Sequence, residues 1–222
     1  MTRMRSPTPV HLAGLLILGA LGCGLISSDI TKVTFDLPTK HYVFAAPVDI
    51  PATKVPCGAG TPLATCPAIG AYTTSCDNAV CTAHVPVKTS QTLNLKAEVP
   101  QLSSVNSQTL VDITLERMSY TVVNSTTVAI PTIDLYLAPQ NVTDPADPSA
   151  KKFGTVPGVA AGMTASGDVV KEPGADDLFI MYGHDFGTPF NFIAATTVVI
   201  PSGTQVSGMV DVTISGKIAA KL

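Results

Sequence analysis

Val111-Asp112-Ile113-Thr114-Leu115-Glu116 carries an apolar side chain at every second position and a polar one between. Period-2 alternation of this kind sets one face of an extended strand against a core and the other in water. The same rhythm runs through Val33, Phe35 and Leu37, through Leu93, Leu95, Ala97 and Val99, and through Val210, Val212 and Ile214. Shorter apolar segments at residues 120–123, 128–130 and 133–137 are divided by Asn124-Ser125 and Pro131, and residues 42–44 follow a Pro38-Thr39-Lys40 turn. Many short strands with turn signals between them predict a mainly β protein, an antiparallel β-sandwich of the immunoglobulin or fibronectin-III kind.

Composition points the same way. Of 222 residues, 13% are charged, none is Trp, and Pro and Gly number 18 and 17, usage that favours strands and turns over long helices. One stretch, residues 174–186, has helical spacing: Leu178, Tyr182 and Phe186 share a face, and Asp176 and Asp177 suit the first turn of a short helix. The net charge is −3, and −5 without Arg3 and Arg5. No basic stripe then remains to neutralise a phosphate backbone, which argues against nucleic acid as a partner.

Arg3 and Arg5 precede an apolar run from Val10 to Leu21, the layout of an export leader. Crossing a bilayer takes about 20 apolar residues, and Cys23, Gly24, Ser27, Ser28 and Asp29 interrupt the run first. Ala20-Leu21-Gly22-Cys23 resembles the lipobox of bacterial lipoproteins, with Ala20 where that family prefers a branched aliphatic residue. The resemblance implies cleavage before Cys23, acyl chains on that cysteine, and a membrane anchor in the bacterial cell envelope. Gly24, where an Asp would favour inner-membrane retention, implies the outer membrane. Ala20 and Gly22 also satisfy the small-x-small rule of ordinary signal peptidase, which cuts the same bond without adding lipid. The expected organisation is a signal peptide at residues 1–22, a lipidated tether at 23–31 and one sandwich domain at 32–222, with a cysteine-rich loop insert at about 51–84.

Cysteine parity favours lipidation. Five cysteines in an exported chain leave one unpaired, and lipid on Cys23 leaves Cys57, Cys66, Cys76 and Cys81 as an even set for two disulfides. Three pairings are open; the shortest loops would join Cys57 to Cys66 and Cys76 to Cys81. The spacings match no common zinc pattern, although His84, close behind Cys81, keeps a metal reading in view.

Residues 111–170 resemble the late-embryogenesis-abundant type 2, or water-stress, β-sandwich. The likeness rests on Val111-Asp112-Ile113-Thr114-Leu115, Tyr120-Thr121-Val122-Val123-Asn124, Ile133-Asp134-Leu135-Tyr136, Val156-Pro157 and Ala161-Gly162. It covers about a quarter of the chain and implies a sandwich in which one strand ends at an Asn turn. Ser125 stands where that family often has Pro.

No G-x-S-x-G elbow, H-E-x-x-H, P-loop or G-x-G-x-x-G occurs. No enzyme and no cofactor is therefore expected beyond covalent lipid on Cys23. Thr143-Asp144-Pro145-Ala146-Asp147-Pro148 reads as a polar turn, with calcium as the sharper alternative. Phe179, Tyr182, Phe186, Phe190 and Phe192 could line an apolar pocket or simply plug one end of the sandwich. The expected function is a membrane-anchored, non-catalytic envelope module that binds a protein partner or supports envelope architecture. A binder of lipid or another apolar ligand is the alternative, and a hydrolase assembled in space from His41, His84 or His184 is the third.

Overall fold

The computed structural model describes residues 32–46, 50–58, 65–99, 102 and 112–221. The leader, Cys23 and the tether lie outside these residues. The fold is an antiparallel β-sandwich. One sheet orders its four strands β1 (Lys32–Ala45), β10 (Met209–Lys221), β4 (Asp112–Asn124) and β7 (Thr164–Asp168). The other orders six: β2 (Thr73–Asp77), β3 (Val80–Leu93), β9 (Phe190–Pro201), β5 (Ile133–Pro139), β6 (Lys151–Val156) and β8 (Val170–Lys171). Inward side chains of both sheets form one core, with Tyr42, Val122, Val212 and Ile218 from the first meeting Leu135, Leu137, Ala194 and Ile200 from the second.

Two strand pairs predicted as separate segments are single long strands. In β4, Leu115 pairs with Ile218 and Arg117 with Lys217, so Glu116 is an extra residue in a β-bulge. One extra residue turns the pleat over, which is why the buried positions pass from Ile113 and Leu115 to Met118, Tyr120 and Val122. Likewise the expected turn at Pro38-Thr39-Lys40 is a bulge inside β1, where pairing jumps from Leu37 with Gly216 to Lys40 with Ile214. Burial then moves from Leu37 to Tyr42 and Phe44.

Leu93 to Val99 departs from the predicted strand. β3 stops at Leu93, and a one-turn helix, α1 (Leu95–Glu98), follows. Asn94 caps it: its side chain accepts the Ala97 N–H at 3.1 Å, while Glu98 Oε1 accepts the Asn94 N–H at 3.1 Å. This reciprocal closure resembles a capping box, and it brings Leu95 and Val99, both 1% exposed, onto the core side. Spacings of two and of four coincide over five residues, so alternation alone could not separate them. Residues 128–130 also form no strand; Ile130 makes a single bridge to Val159.

The predicted helix is present as α2 (Ala175–Gly183), with Asp176 and Asp177 in its first turn. It buries Ala175, Phe179 and Gly183, while Leu178 and Tyr182 pack partly buried at the side. No helix among the described residues is long and apolar enough to cross a membrane.

Candidate functional site

The cysteine insert is only partly loop. Residues 51–58 run irregularly along the end of the six-stranded sheet, but β2 and the start of β3 form a hairpin inside the expected loop. Asn78 and Ala79 turn it with φ of 52° and 63°, the left-handed pair that a two-residue hairpin needs. Backbone bonds fasten the insert to the sandwich: the Cys57 N–H donates to Ala79 O at 3.1 Å and the Cys81 N–H to Val55 O at 2.8 Å. Ser202, 1% exposed, accepts the Val55 N–H on its hydroxyl at 2.8 Å and donates its own N–H to Cys81 O.

The disulfides join Cys57 to Cys76 and Cys66 to Cys81, correcting the shortest-loop expectation of Cys57 with Cys66 and Cys76 with Cys81. Loop-closure entropy rises by only about 0.6 kcal/mol per doubling of loop length, so short loops have little leverage. The pairing follows instead from strand geometry, since Pro56 bridges Val80 and carries Cys57 to the hairpin. Each bridge has a buried end, Cys57 or Cys81, and a more open one, exposed Cys76 or half-buried Cys66.

The histidines divide. His84 Nε2 lies 2.7 Å from Ser75 Oγ, and Ser75 Oγ donates to Asp77 Oδ2 at 2.6 Å. With its one proton on Asp77, the Ser75 hydroxyl accepts from His84 Nε2–H. That is the reverse of a serine nucleophile, whose proton goes to a histidine that a carboxylate orients from behind. His41 Nδ1 stands 3.3 Å from Thr213 Oγ1 and 3.6 Å from Asp211 Oδ1 on an exposed sheet face. His184 Nδ1 donates to Met181 O at 2.9 Å, while its neighbour Asp185 accepts from Gly187 N–H and Thr188 Oγ1.

Asp144 and Asp147 spend their carboxylates locally, on Lys88 and the Ala146 N–H, and on the Ser149 hydroxyl and N–H. These bonds hold both acids below the usual carboxylate range, the largest contributions coming from Lys88 and from the Ser149 hydroxyl. The arrangement is that of an Asx-turn pair.

Four of the five aromatics are buried in the core and Tyr182 packs partly buried against it. Phe179 meets Phe190 edge to face at 6.2 Å, Tyr182 lies 5.6 Å from Phe190, and Phe192 meets Phe153 at 5.5 Å. Phe179, Phe186, Phe190 and Phe192 are at most 4% exposed. An apolar cavity occurs elsewhere, between the sheets near Phe44, Val87, Val128, Val198 and Val210, with a volume of about 20 Å³, room for little more than a water molecule. A shallow polar groove of about 270 Å³ lies across β4, β7 and β10, lined by Ser119, Thr121, Ser166, Thr213 and Ser215.

Three features escaped the sequence reading. Exposed Val43 and Val123 flank Asp211 in one cross-strand row, and exposed Met209 faces Ala45 in the neighbouring row. Asn124, 1% exposed, donates to Val128 O, Val159 O and Ala160 O and accepts from the Thr126 N–H and hydroxyl. Tyr42 is buried with its hydroxyl unpartnered among the described residues, and burial, with the Glu98 charge adding, pushes its pKa well up. Only Asn124 carried a signal, as the end of a strand at an Asn turn.

No family model matches the chain, and no curated protein matches it. Distant likeness exists to chains of virus structures. Turnip Yellow Mosaic Virus shares 11% identity over 86% of this chain and 94% of that chain, with a TM-score of 0.26. Desmodium yellow mottle tymovirus shares 10% over 71% and 93%, with a TM-score of 0.27. Black queen cell virus shares 13% over 99% and 82%, with a TM-score of 0.29. Likeness of that degree says nothing of what this chain does.

Proposed function

We propose that the chain is a lipid-anchored protein of the bacterial envelope, of the outer membrane by the Gly24 criterion, whose sandwich serves as a non-catalytic module for a protein partner. The observation that carries the anchor is the pair of disulfides: they consume Cys57, Cys66, Cys76 and Cys81 and leave Cys23 over. Two or three acyl chains on Cys23 give stable anchoring, each buried CH₂ contributing about 0.8 kcal/mol. Wild-type chain expressed with its leader is expected to partition into detergent and Cys23→Ala to stay aqueous or unprocessed. Equal partitioning of the two would refute lipidation.

The module reading is supported by the exposed apolar side chains of Val43, Val123 and Met209 on an otherwise polar sheet face, since clustered apolar groups in water mark association surfaces. Crosslinking in intact membranes should capture a reproducible partner that Val43→Asp with Met209→Asp releases. The apolar-ligand alternative draws little support from an inter-sheet cavity of about 20 Å³. A hydrolase would need the Ser75 proton to run toward His84 rather than Asp77.

A further inference from the structure

We propose that the cysteine insert has a second, reduced state in which Cys57, Cys66, Cys76 and Cys81 bind one zinc ion. Sulfurs from the two disulfides are not merely near in sequence: the Sγ atoms of Cys57, Cys66 and Cys81 lie within 4.8 Å of one another, and Cys76 is bonded to Cys57. Four thiolates at about 2.3 Å from a tetrahedral zinc stand about 3.8 Å apart. Bonded pairs must therefore separate by about 2 Å and Cys57 close on Cys66 and Cys81 by up to about 1 Å, while Cys76, outside that close group, must turn furthest, all by side-chain rotation.

The surroundings suit this exchange. Cys57 and Cys81 are 2% and 0% exposed, so half of the ligand set is already shielded from water. Exposed Cys76 and half-buried Cys66 give a reductant a sulfur to attack on each bridge. The frame that positions Cys57, Cys76 and Cys81 is backbone, through the β2–β3 ladder and the bonds from Cys57 to Ala79 and from Cys81 to Val55, so it outlasts loss of the S–S bonds. His84 is held by Ser75 and is not counted as a ligand.

The chemistry balances with a dithiol as reductant. Each bridge takes two electrons and two protons from one dithiol, which leaves as its own disulfide, and the four resulting thiols release four protons as zinc enters. Neither state depends on the fate of Cys23, and the inference stands apart from the envelope reading.

The test uses the purified chain, oxidised or reduced with a phosphine that does not compete for zinc, and measures zinc by titration and elemental analysis. One zinc per chain is expected in the reduced form and none in the oxidised form. Cys81→Ser and Cys66→Ser should each weaken reduced-state binding by more than the roughly 10- to 100-fold that losing an outer-shell partner costs. Because a serine variant can disturb the hairpin, cobalt provides an independent readout on the reduced wild-type chain: intense tetrahedral ligand-field bands with thiolate charge transfer. No zinc uptake after reduction, uptake that both serine variants leave unchanged, or cobalt bound without a thiolate band would each overturn the proposal.

Discussion

Asn124 shows what a single side chain contributes here. It closes β4 by adding a bond to three carbonyls, those of Val128, Val159 and Ala160, which also accept from the Thr126 hydroxyl, the Ile130 N–H and the Met163 N–H, and by accepting the buried Thr126 N–H. A hydrogen bond contributes about 1 kcal/mol and a buried donor left unmet, here the Thr126 N–H, costs about 1 to 3 kcal/mol, so with overlap among them Asn124→Ala should lower stability by about 3 kcal/mol. Urea denaturation would check this, and a loss under about 1 kcal/mol would contradict the clamp. Asp144, Asp147 and Asp185 make a different prediction. Hydrogen bonds, led by those from Lys88, the Ser149 hydroxyl and the Thr188 hydroxyl, hold all three below their ordinary pKa of 3.8. A carboxyl depressed in the fold stabilises it above that ordinary value and stops doing so as pH falls through the folded one. Tm should therefore fall below about pH 4, and Asp147→Asn should shallow that fall slightly because the group is exposed.

At the scale of elements, the insert and the aromatic plug behave differently. The insert has few apolar contacts of its own beyond Ile69 and the cysteines, so its order rests on the β2–β3 ladder, the backbone bonds of Cys57 and Cys81, and Ser202, with the bridges adding to them. Peptide mapping without reduction should recover Cys57 joined to Cys76 and Cys66 to Cys81; other pairs would refute the hairpin geometry. Removing the first bridge by Cys57→Ser with Cys76→Ser should cost about 3 kcal/mol, the loop-entropy value for its 19-residue separation. The plug around α2 depends on packing instead. Phe190, 1% exposed and touching Phe179 and Tyr182, should cost about 3 to 5 kcal/mol when cut to Ala. A thermal melt showing a shift within error would refute that packing. Spacing revealed α2 as a helix, although its buried face is Ala175, Phe179 and Gly183 rather than Leu178, Tyr182 and Phe186, and Phe186 lies beyond its end, whereas α1, at four residues, was indistinguishable from a strand.

Over the whole molecule, stability should grade from the middle of each sheet outward. β10 and β4, and β3 and β9, lie between neighbours, whereas β8 and β7 are short outer strands. Amide exchange is expected to be slowest in β10 and β9 and fastest in β8; uniform protection would contradict the layering. The alternating stretches in β4 and β10 and the apolar run in β5 marked the chain as mainly β, because a period of two puts the apolar side chains on one face of a strand. The cysteine count likewise left four beyond Cys23 as an even set. Tertiary structure alone decided the rest. The bulges at Glu116 and at Pro38-Thr39 are single-residue insertions visible only against the partner strand β10. The disulfide pairing depended on which segment brought Cys57 beside the hairpin, and the aromatics form a buried plug because Phe179, Tyr182 and Phe190 pack ring on ring while Phe192 packs on Phe153. In each case the deciding contact joins residues far apart in the chain, and local spacing holds no record of it.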